Sequence, residues 1–335
     1  MPHDQTKEKA FETVIEEHLL AHGYAKGDNR DVDPAAAPDG FDRAKALFPG
    51  VFVAFVQETQ PDAWQALEKL HRAGTAAIVL DELCKNIDSR GSLDVLRHGF
   101  RCYGRQIDAA YFKPAHGLNP ETLRLFSLNR LTITRQVRYC EKTEQSVDTA
   151  IALNGIPIAT LELKNPMTGQ NVEHGRNQYR FDRDPREPLF QFKKRALVHF
   201  AVDPDLVLMA TQLGGKETQF LPFNRGDRNG KGNPPNPSGH RTAYLWEEVL
   251  ARDSLLDIVA RFIHLQVTQR KVGGKLVRKE RMIFPRYHQL DAVRRIESDA
   301  RVRGAGHNYL IQHSAGSGKS NSIAWLAHRL ASLHT

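Results

Sequence analysis

The first apolar positions of the chain recur at helical spacing. Phe11, Val14, Ile15, Leu19 and Leu20 share a face, and Gly23 stands where such a helix would close. Residues 61–72 (PDAWQALEKLHR) repeat the pattern and predict a second helix, with a third over 75–84. The period then changes. Residues 131–137 (LTITRQV) alternate and are rich in β-branched side chains, which predicts a strand. Two more strands, 147–153 and 156–163, flank Asn154-Gly155, a pair suited to the positive φ of a hairpin turn. A further strand pair is predicted over 196–202 and 206–211. Residues 224–240 crowd Gly, Pro, Asn and charge and predict a long exposed loop. Helical periodicity returns over 244–265, a basic, glycine-containing connector follows over 271–281, and a short helix is predicted over 290–296. A last strand is predicted over 308–312 and a last helix from Asn321. The sequence contains no internal repeat.

At 335 residues the chain has room for one large domain or two, each with its own core. The formal charge of +8 and pI near 9.4 favour a polyanionic partner, although a diffuse basic excess is also common in soluble proteins. Cys84, Cys102 and Cys140 lie far apart with no CxxC pair, which argues for reduced thiols and against a zinc or disulfide framework. The polar N-terminus has no apolar run of a signal peptide, and no stretch is long enough to span a bilayer. A soluble, cytoplasmic protein is expected.

The most informative stretch is VDTAIALNGIPIATLELKN. It puts Asp148 near the start of one strand and Glu162 and Lys164 near the end of its hairpin partner. Strand alternation places Glu162 and Lys164 on one face and Leu161 and Leu163 on the other. A plain two-residue turn would set Asp148 opposite Leu161 and so on the wrong face. A three-residue loop with Gly155 in a left-handed bulge shifts the register by one and brings Asp148 beside Glu162. That bulged loop is expected, and a tight turn is expected to remove the site. Pro157, which has no N–H to donate, fits an irregularity there. Two neighbouring carboxylates repel unless a cation neutralises them, and hard oxygen ligands with room for water suit Mg²⁺. Asp148 and Glu162 are therefore the candidate metal ligands. Lys164 would orient an attacking water or stabilise charge developing on a phosphate. The alternative is a solvent-exposed charged strand edge.

A second motif lies near the end. His313-Ser314-Ala315-Gly316-Ser317-Gly318-Lys319-Ser320 sits between the predicted strand and helix, the setting of a phosphate-binding loop. Glycines there let backbone N–H groups approach phosphates, Lys319 would reach the outer phosphates of ATP, and Ser320 would ligate Mg²⁺. Upstream, Gln289 in FPRYHQ is suited to a bidentate contact with an adenine edge. The chain ends at Thr335 with no room for the carboxylates that would complete an ATPase, so only the start of a motor is expected.

The order of these pieces resembles the R (restriction and translocation) subunit of type I restriction-modification enzymes. The resemblance runs through Tyr111-Phe112-Lys113-Pro114 and Gly117-Leu118-Asn119-Pro120, Asn129-Arg130-Leu131, Arg135-Gln136-Val137, and the VDTAIALNGIPIATLELKN stretch. It continues through RDPREPLF, FLPFNRG, GNPPNPSG, TAYLWEEVL and FPRYHQ into GSGKS. It implies an α/β fold with a PD-(D/E)xK nuclease sheet, mixed and flanked by helices, over 1–240. A helical linker over 241–281 and the truncated start of a RecA-like motor over 282–335 would follow. It implies that Asp148, Glu162 and Lys164 are nuclease residues, and that Gln289, Gly316, Ser317, Gly318, Lys319 and Ser320 belong to a superfamily 2 helicase-like motor. Mg²⁺ and ATP would be the cofactors, and duplex DNA with the modification and specificity subunits the partners. Many such nucleases carry Gln-x-x-x-Tyr after the ExK. Here Gln178 fits the Gln, Asp182 stands where the Tyr is expected, and the role of Tyr179 stays open. Arg176, Arg180 and Arg183 would either contact phosphates or cover a solvated helix face. His18 and His22, one turn apart, read as surface histidines, and Glu12 and Glu16 as helix-surface charge rather than further ligands. Two other readings are a nuclease-inactive module that binds DNA or assembles a motor with its partners, and a motor with an accessory front domain.

Overall fold

Alternation in the middle of the chain builds a seven-stranded mixed sheet, and the helical segments around it supply the covering layers. The computed structural model describes residues 3–334 except 115–118, 167–168, 229 and 274, so Gly117 and Leu118 of the resemblance lie outside the described residues. In chain order the first elements are α1 (His3–Ala21), β1 (Tyr24–Lys26), α2 (Pro49–Thr59), α3 (Pro61–His71), α4 (Thr75–Arg90) and α5 (Ser92–His98). Next come β2 (Phe100–Cys102), β3 (Arg105–Ile107), α6 (Pro120–Ser127), β4 (Leu131–Arg138), β5 (Ser146–Leu153), β6 (Ile156–Leu163) and α7 (Val172–Asn177). Then follow β7 (Val198–Val202), β8 (Val207–Ala210), β9 (Leu221–Pro222), α8 (Arg252–Asp257), β10 (His264–Val272), β11 (Lys275–Ile283), α9 (Tyr287–Arg303) and α10 (Lys319–Ala331).

The sheet order is β1-β4-β5-β6-β7-β8-β9, with β1/β4 and β6/β7 parallel and the other neighbours antiparallel. The main core joins Leu161 and Leu163 on one face of β6 to Phe11, Ile15 and Leu19 of α1 and Phe52, Phe55 and Val56 of α2. A smaller cluster, including Ala150, Ala152, Tyr179, Leu189 and Phe190, packs separately from it. Gly23 adopts φ +93, the left-handed conformation that ends α1 cheaply only as glycine.

Several expectations are corrected. The described residues of 271–281 form no connector. They belong to an antiparallel ribbon of nine residue pairs, β10 with β11, turning at Gly273. Helical structure within 244–265 comes as α8 between two wide π-type turns, Leu245–Val249 and Ile258–Phe262, and gives way to β10 at His264. This segment, expected as a linker, packs into the main core through Trp246, Leu250, Leu256 and Phe262. The Trp325 indole of α10 also reaches it, donating to the Phe262 carbonyl at 2.9 Å. Residues 308–312 form no strand, and Leu310 is 94% exposed. No described strand lies beside them, so their backbone groups gain nothing from extending that water does not already supply. Glu12 and Glu16 are no surface charges. Both are buried and both pair with Arg135 of β4, pinning α1 to the sheet.

The central hairpin turns tightly at Asn154 (φ +50) and Gly155 (φ +81), with Leu153 opposite Ile156. The Asn154 side chain accepts from Arg130 N–H at 2.6 Å and donates to the Ala109 carbonyl at 2.9 Å. Phe48 N–H donates to the Gly155 carbonyl at 2.9 Å. A Cβ on Gly155 would meet the Phe48 carbonyl oxygen at 2.4 Å. Gly155→Ala therefore combines an unfavourable φ with a backbone clash and is expected to cost at least about 1 kcal/mol. Urea denaturation measures it, and an unchanged midpoint would contradict the clamp.

Candidate functional site

The tight turn does not remove the site, contrary to expectation, because the missing residue is supplied further along β6. Ala152 faces Pro157 but Ile151 faces Ala159, so Ile158 is an extra residue. Pro157 has no N–H to contribute to a ladder, and the irregularity follows directly after it. Beyond the bulge Ala150 faces Thr160 and Thr149 faces Leu161. The same register sets Asp148 opposite Glu162. The expected one-residue shift is present, and its cause is the Pro157-Ile158 bulge rather than a longer loop.

Asp148, Glu162 and Lys164 converge on one face. Asp148 Oδ2 accepts from Leu163 N–H at 2.8 Å and from Lys164 Nζ at 3.2 Å. Both bonds fall on Oδ2, which leaves Oδ1 without a hydrogen bond among the described residues. The Asp148 side chain is 14% exposed and that of Glu162 fully buried. Glu162 Oε1 accepts from Arg183 Nε at 2.7 Å, while Oε2 is buried with no partner. A buried carboxylate oxygen left unpaired is costly, and either a proton or a cation would satisfy it. Burial, with Asp148 adding to it, holds the Glu162 carboxyl well above the usual carboxylate range, and Arg183 and Lys164 only partly offset this. Glu162 in turn outweighs the effect of burial on Arg183 and keeps its guanidinium firmly protonated.

Arg183 corrects the expectation of a phosphate contact or solvated face. It is buried, it lies over the Tyr139 ring, and its Nη2 donates to the Ser146 carbonyl at 2.9 Å. Its position follows from a π-type turn over Gln178–Asp182, closed by Arg183 N–H donating to the Gln178 carbonyl at 3.1 Å. Five residues per closure aligns position 183 with 178, where an α-turn would align 182. Tyr179 points inward. Its hydroxyl lies 2.8 Å from Thr160 Oγ1, which lies 2.8 Å from His199 Nδ1. Gly175 of α7 sits close above, since a Cβ there would meet Glu162 Cβ at 3.5 Å and Ala201 Cβ at 3.3 Å. Gln178 Oε1 is buried without a partner at the start of the π-type turn. Arg180 donates to the Thr218 carbonyl, and Arg176 pairs with Glu173. His18 and His22 stack on each other at 4.1 Å between ring centroids. Among the described residues no three His, Cys, Asp or Glu side chains are grouped to hold a metal, so any ion here would have at most two such protein ligands.

In the second motif Gly316 (φ +71) and Gly318 (φ +82) shape the loop, and Gly318 caps α10. Gln289 does not face open solvent. Its Nε2 donates to the Gly318 carbonyl at 2.8 Å and its Oε1 accepts from Arg286 N–H at 2.9 Å, so both amide ends hold the loop. Lys319 Nζ donates to the His313 carbonyl at 2.7 Å. Ser317 is buried with its hydroxyl unpartnered, and Ser320 is exposed. Gly316, Ser317 and Gly318 line a cleft of about 490 Å³ with Gln289, Arg281 and Arg286.

The sheet and its acid–lysine cluster define an α/β protein built around buried charge on one hairpin. Comparison with protein families then places it: the chain belongs to the type I restriction enzyme R protein N-terminal family, whose model matches residues 5–218. That span includes Asp148, Glu162, Lys164, Gln178 and Arg183, and ends before the glycine-rich loop. Comparison with curated proteins gives no match.

Two outcomes are expected. Arg183→Ala should cost about 3 kcal/mol by leaving Glu162 uncompensated, and adding Glu162→Gln should recover a large part of it. Additive losses in denaturation would contradict direct coupling. His199 is buried, and burial lowers its pKa from 6.5 to about 3. The unfolded chain therefore takes up a proton below pH 6.5 that the fold refuses until about pH 3, so stability falls with pH across that window. His199→Gln should flatten that loss, by at most about 1.4 kcal/mol per pH unit. An unchanged slope would contradict it.

Proposed function

We propose that this chain cuts DNA phosphodiesters at the Asp148–Glu162–Lys164 cluster, as the PD-(D/E)xK nuclease part of a type I restriction R subunit. The observation that carries this is the juxtaposition of a buried, unpartnered Glu162 Oε2 with Asp148 and a buried lysine. Asp148 Oδ1 and Glu162 Oε2 would hold a divalent cation with hard oxygen donors, and Mg²⁺ suits two carboxylates with water and phosphate completing the shell. When bound, that ion supplies an activated water and offsets phosphate charge. Lys164, held by Asp148, stands where a cation stabilises charge developing on the scissile phosphate. Arg183 holds one oxygen of Glu162 and leaves the second without a partner. Tyr179, Thr160 and His199 form the polar floor and exclude water beneath it.

The Gly316–Ser320 loop and Lys319 form the nucleotide site of this reading, where ATP would drive translocation. Gln289 would release Gly318 to meet the base. Modification and specificity subunits would supply recognition of the duplex.

In the assembled full-length R subunit complex, Asp148→Ala, Glu162→Gln and Lys164→Ala should each slow Mg²⁺-dependent cleavage of plasmid DNA at least about 100-fold. Wild-type rates in the Asp148 and Glu162 variants would leave the chain as a binding or assembly module.

A further inference from the structure

The β10–β11 ribbon is the most basic element of the described structure outside the sites above. Its 20 positions carry Arg270, Lys271, Lys275, Arg278, Lys279 and Arg281 against a single acid, Glu280, which accounts for most of the chain's formal excess of +8. Glu280 is already spoken for, because Lys193 and Arg278 both pair with it. Lys271, Lys279 and Arg281 are exposed and have no ion-pair partner among the described residues.

Among the described residues the ribbon is anchored at its base and, further along, by the Lys193–Glu280 ion pair. Met282 is buried, its carbonyl accepts from Thr211 Oγ1 at 2.8 Å, and Leu265 and Ile283 pack against the core. Gln266 to Gln269 and Leu276 to Lys279 are exposed on both faces. A two-stranded ribbon with no covering layer is marginal by itself, so nothing in the core requires its length. Nine pairs span roughly 30 Å at about 3.4 Å per residue. Exposed Val267, Leu276 and Val277 add aliphatic surface between the charges.

We infer that this ribbon is an arm that grips duplex DNA through its phosphates. The inference rests on the reading that the chain acts on duplex DNA. The major groove of B-DNA, about 12 Å wide, admits a two-stranded ribbon. Exposed lysines and arginines on both strands of the ribbon meet phosphates across such a groove, and the aliphatic side chains meet sugar and base edges. Because Lys279 and Arg281 also line the cleft of the glycine-rich loop, the arm starts at the nucleotide site and leads away from it.

The test uses the full chain and a mixed-sequence duplex, with binding read by fluorescence anisotropy in EDTA across about 50 to 200 mM salt. The variant Lys271→Gln/Arg278→Gln/Lys279→Gln/Arg281→Gln should bind at least about tenfold more weakly, and its salt dependence should flatten by about 0.9 per lost phosphate contact. Lys271→Arg/Lys279→Arg should bind as wild type, and Lys271→Glu/Lys279→Glu should lose more than neutralisation at those two positions. Melting temperatures should stay at the wild-type value, since these are exposed positions. Wild-type affinity and salt slope in the four-residue variant would overturn the arm alone. If that variant instead lost association with the other restriction subunits, the ribbon would be a protein interface and the inference would fall. Wild-type chain that bound no duplex at all would overturn the DNA reading as well.

Discussion

A strand shows the same face every second residue, so the count of residues between two positions decides whether their side chains meet. In the central hairpin that count is changed by one residue, Ile158, left unpaired after Pro157. Everything downstream depends on it. With the bulge, Asp148 lies across from Glu162 and two residues' reach from Lys164. Without it, Asp148 would oppose Leu161, and Asp148 and Glu162 would lie on opposite faces of the sheet.

Bringing charge into a sheet this buried has a cost that the surroundings answer locally. Lys164 compensates Asp148, and Arg183 compensates one oxygen of Glu162. The π-type turn is what makes the second pairing reach, since one extra residue in the turn carries position 183 over the sheet. Below it, Tyr179, Thr160 and His199 form a closed polar chain without net charge. The result is a cluster whose charges are matched except at one buried oxygen of Glu162, which has no hydrogen-bond partner.

Much of this was legible in the residues. The alternation of LTITRQV and of the two arms around Asn154-Gly155 marks three adjacent strands of the sheet, and the placing of Asp148, Glu162 and Lys164 on one face follows from parity with a one-residue shift. The location of the shift was not legible, because Asn-Gly suits both a tight turn and a longer bulged loop, and only packing of Phe48 against Gly155 selects between them. Arg183 was missed as the partner of Glu162 because helical spacing pairs Gln178 with Asp182. Its signal was the absence of a tyrosine at 182. Glu12 and Glu16 read as surface charge because their partner, Arg135, is remote in sequence. The ribbon read as a connector because its apolar residues are sparse, and pairing of His264–Val272 with Lys275–Ile283 rests on backbone hydrogen bonds that composition does not reveal.

The family match and the site geometry concern the same stretch of chain, yet the core does not stop where that stretch stops. Tyr244, Trp246, Phe262 and Trp325 join the packing begun by Phe11 and Leu19, so the carboxylate cluster and the glycine-rich loop are attached to one continuous apolar body. The most direct test of the central claim is anomalous diffraction from crystals of the chain soaked in Mn²⁺. The bulged register predicts an ion at roughly 2.0–2.2 Å from oxygens of both Asp148 and Glu162, with Arg183 still on the other Glu162 oxygen. An ion bound elsewhere, or none beside ordered Asp148 and Glu162, would contradict it.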